Sequence, residues 1–280
     1  MLISNWIHKA CGRYGLPVLL GVSLWGNQCI AIAQDWRESL LRAADPEVSG
    51  AYTRKRFVDL QKVVFDKTDR RKKALILGDS QAQDFLNTVM ENGYLSHYQI
   101  RTRYIPTRCQ LFLTDKGQSF IQAKDTALCA KADNLQLARQ QIAEADLIIL
   151  IAHWRQWAAQ LLPETLANLR LRPDQQLVVV SGKELGKISV RNYLRMSPEE
   201  LMALRNPINA EQVRINQLLQ QVVGTQAFVD QQRLLCTDGR TCPLFTNDLK
   251  LISYDGGHLT PEGAKHVGKL LFEKSILGNL

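Results

Sequence analysis

Apolar and polar positions follow two periods along most of this chain. Residues 74–77, 146–152, 176–181 and 227–230 are short, nearly unbroken apolar runs. Runs of that length predict buried strands. Residues 97–104 alternate apolar and polar and predict a further strand, second in chain order. Helical spacing separates these runs, over 84–91, 154–169, 197–204 and 209–223. Residues 119–144, rich in Ala, Leu and Gln, also predict helix. Ser197-Pro198-Glu199 opens one helix. Thr260 caps the last, with Pro261 at its first position and Ala264, Val267, Leu270 and Leu271 on one face. Strands alternating with helices predict an α/β protein: a three-layer α/β/α sandwich around a mostly parallel five-stranded sheet.

Residues 1–33 are different in kind. Lys9 and Arg13 stand there without an acid, an apolar stretch runs over 14–25, and Ala31-Ile32-Ala33 precedes Gln34 and a polar run. A basic start, an apolar core and a small-x-small end form the pattern of a secretory signal peptide. The alternative is an uncleaved N-terminal membrane anchor. Gly26-Asn27-Gln28 interrupts the apolar run before it reaches the ~20 residues that a span needs. The expectation is therefore a leader over 1–33, a helical extension over 34–70 and one domain over 71–280.

Composition narrows this further. With 45% hydrophobic and 22% charged residues the chain is globular, which excludes disorder, collagen and coiled coil. The formal charge is +8 and drops to +6 once Lys9 and Arg13 leave. Residues 54–73 hold nine basic and three acidic residues, so the rest of the exported chain is neutral. Phe57, Leu60, Val63 and Val64 recur there at helical spacing and predict an amphipathic helix with a solvated basic face. A docking patch for an anionic glycan, lipid headgroup or partner protein is the sharper alternative. Aromatic interleaving of the kind that stacks on bases is missing, so no nucleic-acid partner is expected.

Cys11 and Cys29 leave with the leader; Cys109, Cys129, Cys236 and Cys242 remain. An even number in an oxidising compartment predicts disulfides. Of the three pairings, the local one joins Cys109–Cys129 and Cys236–Cys242, the latter around an Asp238-Gly239 turn. A zinc site is the alternative, but neither CxxC nor CxxxH spacing is present to support it. No metal and no cofactor is expected.

Two motifs carry chemistry. In Gly78-Asp79-Ser80 the serine lies just past a strand end, where ligands bind in open parallel sheets. The helix that follows offers free N–H groups beside the hydroxyl, which suits a nucleophile whose own amide stabilises an oxyanion. The plain alternative is that Asp79-Ser80 merely caps a helix. The second motif is Tyr254-Asp255-Gly256-Gly257-His258-Leu259-Thr260. Spaced three apart on a glycine hinge, Asp255 can reach one ring nitrogen of His258 and leave the other outward, as a base and its orienter require. A glycine turn with a solvated histidine is the plain alternative here.

Together and in this order the motifs resemble those of SGNH (GDSL-type) hydrolases, over about residues 72–276. The likeness is strongest to the SGNH domain attached to bacterial membrane acyltransferases that O-acylate envelope glycans. There, too, the C-terminal motif follows a cysteine pair, here Cys236 and Cys242, and runs on as Tyr254 to Ala264 does. The resemblance implies a Ser80–His258–Asp255 triad and a flavodoxin-like sheet order. Relatives usually complete the oxyanion hole with a glycine amide after the second strand and an asparagine after the third. This chain instead has Ala152-His153-Trp154-Arg155, which looks like the small-x-Trp stretch of the acyltransferase-linked branch. His153 and Arg155 are therefore candidates to face the site, against the alternative that Trp154 and Trp157 pack in the core and His153 only lines a wall. The glycine block has no clear match, which leaves a backbone N–H near Arg108-Cys109 as a candidate. Gln81 follows Ser80 where relatives often have histidine.

The implied function is a periplasmic O-acyl (acetyl) esterase or acyltransferase acting on an envelope glycan through an acyl-serine. Transfer would call for an acyl donor from a separate membrane protein, because acyl-CoA is not expected in the periplasm. A non-catalytic glycan-binding module with a degenerate site is the alternative from another class.

Overall fold

The computed structural model describes residues 36–280 apart from 39 and 44. The leader read from residues 1–33, with its choice between cleavage and anchoring, lies outside the described residues. Among the described residues no helix is long and apolar enough to cross a membrane.

The five apolar or alternating runs form one parallel sheet. Its strands are β1 (Lys72–Gly78), β2 (Tyr98–Tyr104), β3 (Leu147–Ile151), β4 (Gln176–Val180) and β6 (Phe228–Val229), in the order β2-β1-β3-β4-β6. This is the flavodoxin-like order. A separate antiparallel pair joins β5 (Arg205–Pro207) to β7 (Thr241–Pro243).

Side chains along each strand alternate between two cores, as buried parallel strands require. Ala74, Ile76, Leu147, Ile149 and Ile151 enter one core, and Leu75, Leu77, Ile148 and Leu150 the other. The first core is covered by α1 (Pro46–Asp59), α2 (Ser80–Asn92) and α5 (Pro261–Lys274). The second is covered by α3 (Gln156–Leu169) and α4 (Ala210–Val223). The result is the three-layer α/β/α sandwich. Its register sets Tyr104, Gly78, Ile151, Val180 and Val229 side by side at the carboxyl ends. Every loop that leaves those ends therefore emerges along one edge of the sheet.

Two expected helices come out differently. The basic segment 54–73 is helical only to Asp59. Lys62 takes a left-handed φ of 58°, and the chain turns to bridge Gln61 to Thr102 at the edge of β2. Phe57 is buried as expected, but Val63 and Val64 are exposed. Sheet-edge pairing thus overrides the helical spacing of these residues. Residues 119–144 contain only short turns of helix, at the end of Asp115–Phe120 and at Ala123–Asp125, Thr126–Lys131 and Arg139–Glu144. Cys129 is tied to Cys109, and the buried Asp133 carboxylate takes Arg103, so tertiary ties break what Ala and Leu alone would extend.

Candidate active site

Gly78 ends β1 where β3 runs too close for any side chain: a Cβ there would stand 1.6 Å from the Ile151 carbonyl oxygen. Asp79 follows, fully buried, and caps α2. One of its oxygens accepts from the Gln81 amide at 2.9 Å. The other accepts from the Thr107 hydroxyl at 2.6 Å and the His153 amide at 3.0 Å. Burial pushes this carboxyl above its usual range, against three donors that favour its charged form. Asp79 thereby pins the loops after β1, β2 and β3 to one another.

Ser80 is the first residue of α2 and partly exposed. The next three amides are occupied: Gln81 by the Asp79 carboxylate, Ala82 and Gln83 by the Asp79 carbonyl. Among the described residues the Ser80 N–H has no such partner. An oxyanion formed on Ser80 would meet this free amide at the positive end of a helix.

The Asp255–His258 couple is formed. His258 Nδ1 lies 2.6 Å from Asp255 Oδ2, and Asp255 Oδ1 accepts from the amides of Gly257 (2.9 Å) and His258 (2.7 Å). Burial works to lower the imidazole pKa, but the Asp255 hydrogen bond and the charges of Asp84 and Asp255 outweigh it and raise the pKa above its ordinary value. Asp255 moves the other way: burial disfavours its charge, and the His258 bonds overcome that and hold it below the usual carboxylate range. Tyr254 stacks on the imidazole at 5.7 Å, and its hydroxyl meets Thr53 of α1 at 3.2 Å. Helix α1 thus reaches the site. Gly256 adopts a φ of +94°, and its Cβ position is filled by the Gly186 carbonyl oxygen at 1.9 Å, so only glycine fits this hinge.

The structure brings the serine helix and the histidine loop together through residues that sequence reasoning missed. Lys183 is 1% exposed and donates to Asp84 Oδ2 (2.6 Å), the Gly257 carbonyl (2.8 Å) and Gln81 Oε1 (3.3 Å). Asp84 Oδ1 accepts from the Leu259 amide at 3.2 Å. Gln110, held at φ 59°, donates to the carbonyls of Thr107 and His153 and accepts from the Arg155 amide. No spacing rule marks these polar residues, since each gains its meaning only from partners distant in sequence. Among the described residues, Ser80 and His258 share no hydrogen bond, and this leg of the expected triad is not closed.

The remaining candidates divide. His153 lines a cleft of about 590 Å³ together with Thr107, Arg155, Trp157, Asn209 and Glu211. The cleft abuts the Ser80 motif through Thr107 and His153, both bonded to Asp79. Trp154 is buried, and its indole N–H donates to the Val180 carbonyl at 3.0 Å. Trp157 stacks on Phe120 at 5.2 Å. Arg108 turns its guanidinium to Asp125, and the Cys109 amide is spent on the Pro106 carbonyl, so of the amides at Arg108-Cys109 the second is not free for an oxyanion. Both disulfides, Cys109–Cys129 and Cys236–Cys242, are formed, which displaces the zinc alternative for these cysteines.

A family model described as an SGNH domain (fused to AT3 domains) matches residues 49–273. Among solved structures, the chain is similar to the periplasmic domain of a lipopolysaccharide acetyltransferase from Salmonella ser. Paratyphi A. Identity is 17% and the TM-score 0.54, over 89% of this chain and 95% of that one. At that identity the likeness shows the fold. No curated protein matches the chain.

Proposed function

We propose that this chain, which belongs to the family of SGNH domains fused to AT3 domains, uses Ser80 to cleave or transfer an O-acyl group on an envelope glycan in the periplasm. The observation that carries the reading is the Asp255–His258 couple, held on a loop that is hydrogen-bonded to the helix begun by Ser80. Asp255 keeps the Nδ1 proton in place, which leaves Nε2 free to act as base.

The Ser80 hydroxyl attacks the ester carbonyl while His258 Nε2 takes its proton. The oxyanion forms against the Ser80 amide, and the alkoxide leaves with the proton from His258. Water or a sugar hydroxyl then gives its proton to His258, attacks the acyl-serine, and frees Ser80. Catalytic hydrogen bonds are often open in the free protein and tighten in the complex, so the open Ser80–His258 leg is compatible with this reading. The cleft beside Asp79 offers the glycan a mixed lining that includes Trp157, Arg155 and Asn209. Sugars fit such a lining through stacked faces and paired hydroxyls. The solved structural neighbour is a lipopolysaccharide acetyltransferase domain, which supports an acetyl group and a surface glycan as the first substrates to try. Transfer would require a membrane protein as acyl donor.

The test is release of acetate from 4-nitrophenyl acetate and from an acetylated glycan, by the chain and by Ser80→Ala. Serine-dependent release is expected. Its diversion to an added sugar would identify transfer, and no serine-dependent release with or without an acceptor would leave only the glycan-binding alternative.

A further inference from the structure

We infer that the buried Lys183–Asp84 pair is the positioning device for His258. The inference rests on the reading of His258 as the base. Lysine is rarely this deep, and each of the three protons of its ammonium has an acceptor: Asp84, the Gly257 carbonyl and Gln81. Those acceptors are not scattered. Gly257 precedes His258 and Leu259 follows it. Lys183 holds the first through its carbonyl, and Asp84 holds the second through its amide. The pair therefore grips the backbone on both sides of the imidazole from beneath. Gln81 closes the frame, because it follows Ser80 directly, accepts from Lys183 and donates to the Gly257 carbonyl at 3.4 Å. One network thus fixes the separation between the nucleophile's helix and the base's loop.

Stability does not account for such a pair. Two charges taken out of water regain little over well-packed apolar residues of the same volume. Orientation does account for it, since the contacts that Lys183 and Asp84 make outside the pair go to the His258 loop and to Gln81. Their charges also act oppositely on the imidazole, Asp84 raising its pKa and Lys183 lowering it. With Asp255 alongside and Tyr254 stacked on the ring, removing both members leaves Asp255 as the charged group bonded to the base.

The experiment compares the whole chain with Lys183→Met and with the double variant Lys183→Met/Asp84→Leu, which removes both charges at similar volume. Thermal melts report folding. NMR of the side-chain nitrogens follows His258 among the five histidines, with His258→Gln to assign its signals. Turnover of 4-nitrophenyl acetate gives kcat and KM. The folded double variant is expected to keep KM and lose roughly 10- to 100-fold in kcat, the cost of misplacing a catalytic group by about 1 Å. Its Nδ1 proton should broaden or vanish, and the titration of the ring should shift. A folded double variant with unchanged His258 signals and unchanged kcat would overturn the inference, and so would one that fails to fold, because the pair is then a folding element. If the wild-type chain shows no Ser80-dependent turnover, the enzymatic reading fails, and the NMR signals alone then decide whether the pair positions the ring.

Discussion

Replacing Gly256 with alanine separates the geometry of the base from the stability of the fold. The added methyl would stand 1.9 Å from the Gly186 carbonyl oxygen, where real Cβ contacts essentially never fall under 3.0 Å. The loop between Asp255 and His258 must therefore move by ~1.1 Å, and a displacement of that size costs on the order of 100-fold in rate. Strain adds to this, because an L residue at positive φ costs about 1–2 kcal/mol. The bond from the Leu185 amide to the Gly256 carbonyl, 2.7 Å in the wild type, contributes about 1 kcal/mol more when lost. Gly224→Ala is the control for positive φ without a clash: its φ is +74° and nothing lies within 4 Å of its Cβ position. Both variants should melt a few degrees low, at about 2–4 °C per kcal/mol for a chain of this size. Only Gly256→Ala should lose serine-dependent turnover of 4-nitrophenyl acetate. Equal turnover by the two variants, within about threefold, would refute the claim that the hinge places the imidazole.

Four further outcomes follow from the same structure. The proposed mechanism requires neutral His258, whose pKa is raised, so the acidic limb of the pH–rate profile should lie above the ordinary imidazole value and move down in Asp255→Asn. The proton held by folded His258 also stabilises the fold, fully below about pH 6.5 and progressively less as pH rises through the raised value, a slope that melts across pH should show disappear in His258→Gln. The disulfides should be unequal: loop-closure entropy assigns about 3 kcal/mol to Cys109–Cys129, separated by 20 residues, and about 2 kcal/mol to Cys236–Cys242, separated by 6, so denaturant melts of Cys→Ala pairs should rank them in that order. Asp79→Asn swaps a carboxylate oxygen for a donor facing either the Thr107 hydroxyl and the His153 amide or the Gln81 amide, and melting should fall by several degrees even though the change is isosteric.

How much of this was legible in the sequence depends on how local each signal is. The strands were readable because residues 74–77 and 147–151 are apolar on both faces, and a parallel sheet covered on both sides demands that. Asp255 and His258 were readable because their contact is made within one loop. The basic segment was misread because Phe57, Leu60, Val63 and Val64 fit one helical face, while the edge of β2 offered Thr102 as a partner that no window of sequence contains. The framework of Gln81, Asp84 and Lys183 was invisible for the same reason at longer range. Asp84 and Gln81 look like the polar face of an amphipathic helix, and a lysine in a loop looks solvated, until a partner 99 residues away makes both buried. The oxyanion candidates fell between these cases. Ser80's amide follows from helix geometry alone, whereas the engagement of the Cys109 amide by Pro106 depends on a turn that the sequence did not mark.

The bond between Asp84 and Leu259 joins residues 175 apart, and it is among the contacts that tie the His258 loop to the helix begun by Ser80. A chain made from its N-terminus has its serine long before its histidine, and contacts of such separation form late because the intervening loop must first be closed. On the proposed mechanism the Ser80 hydroxyl would gain its base only once the last helix has docked, so Ser80-dependent turnover would report completion of the whole fold rather than of one part of it.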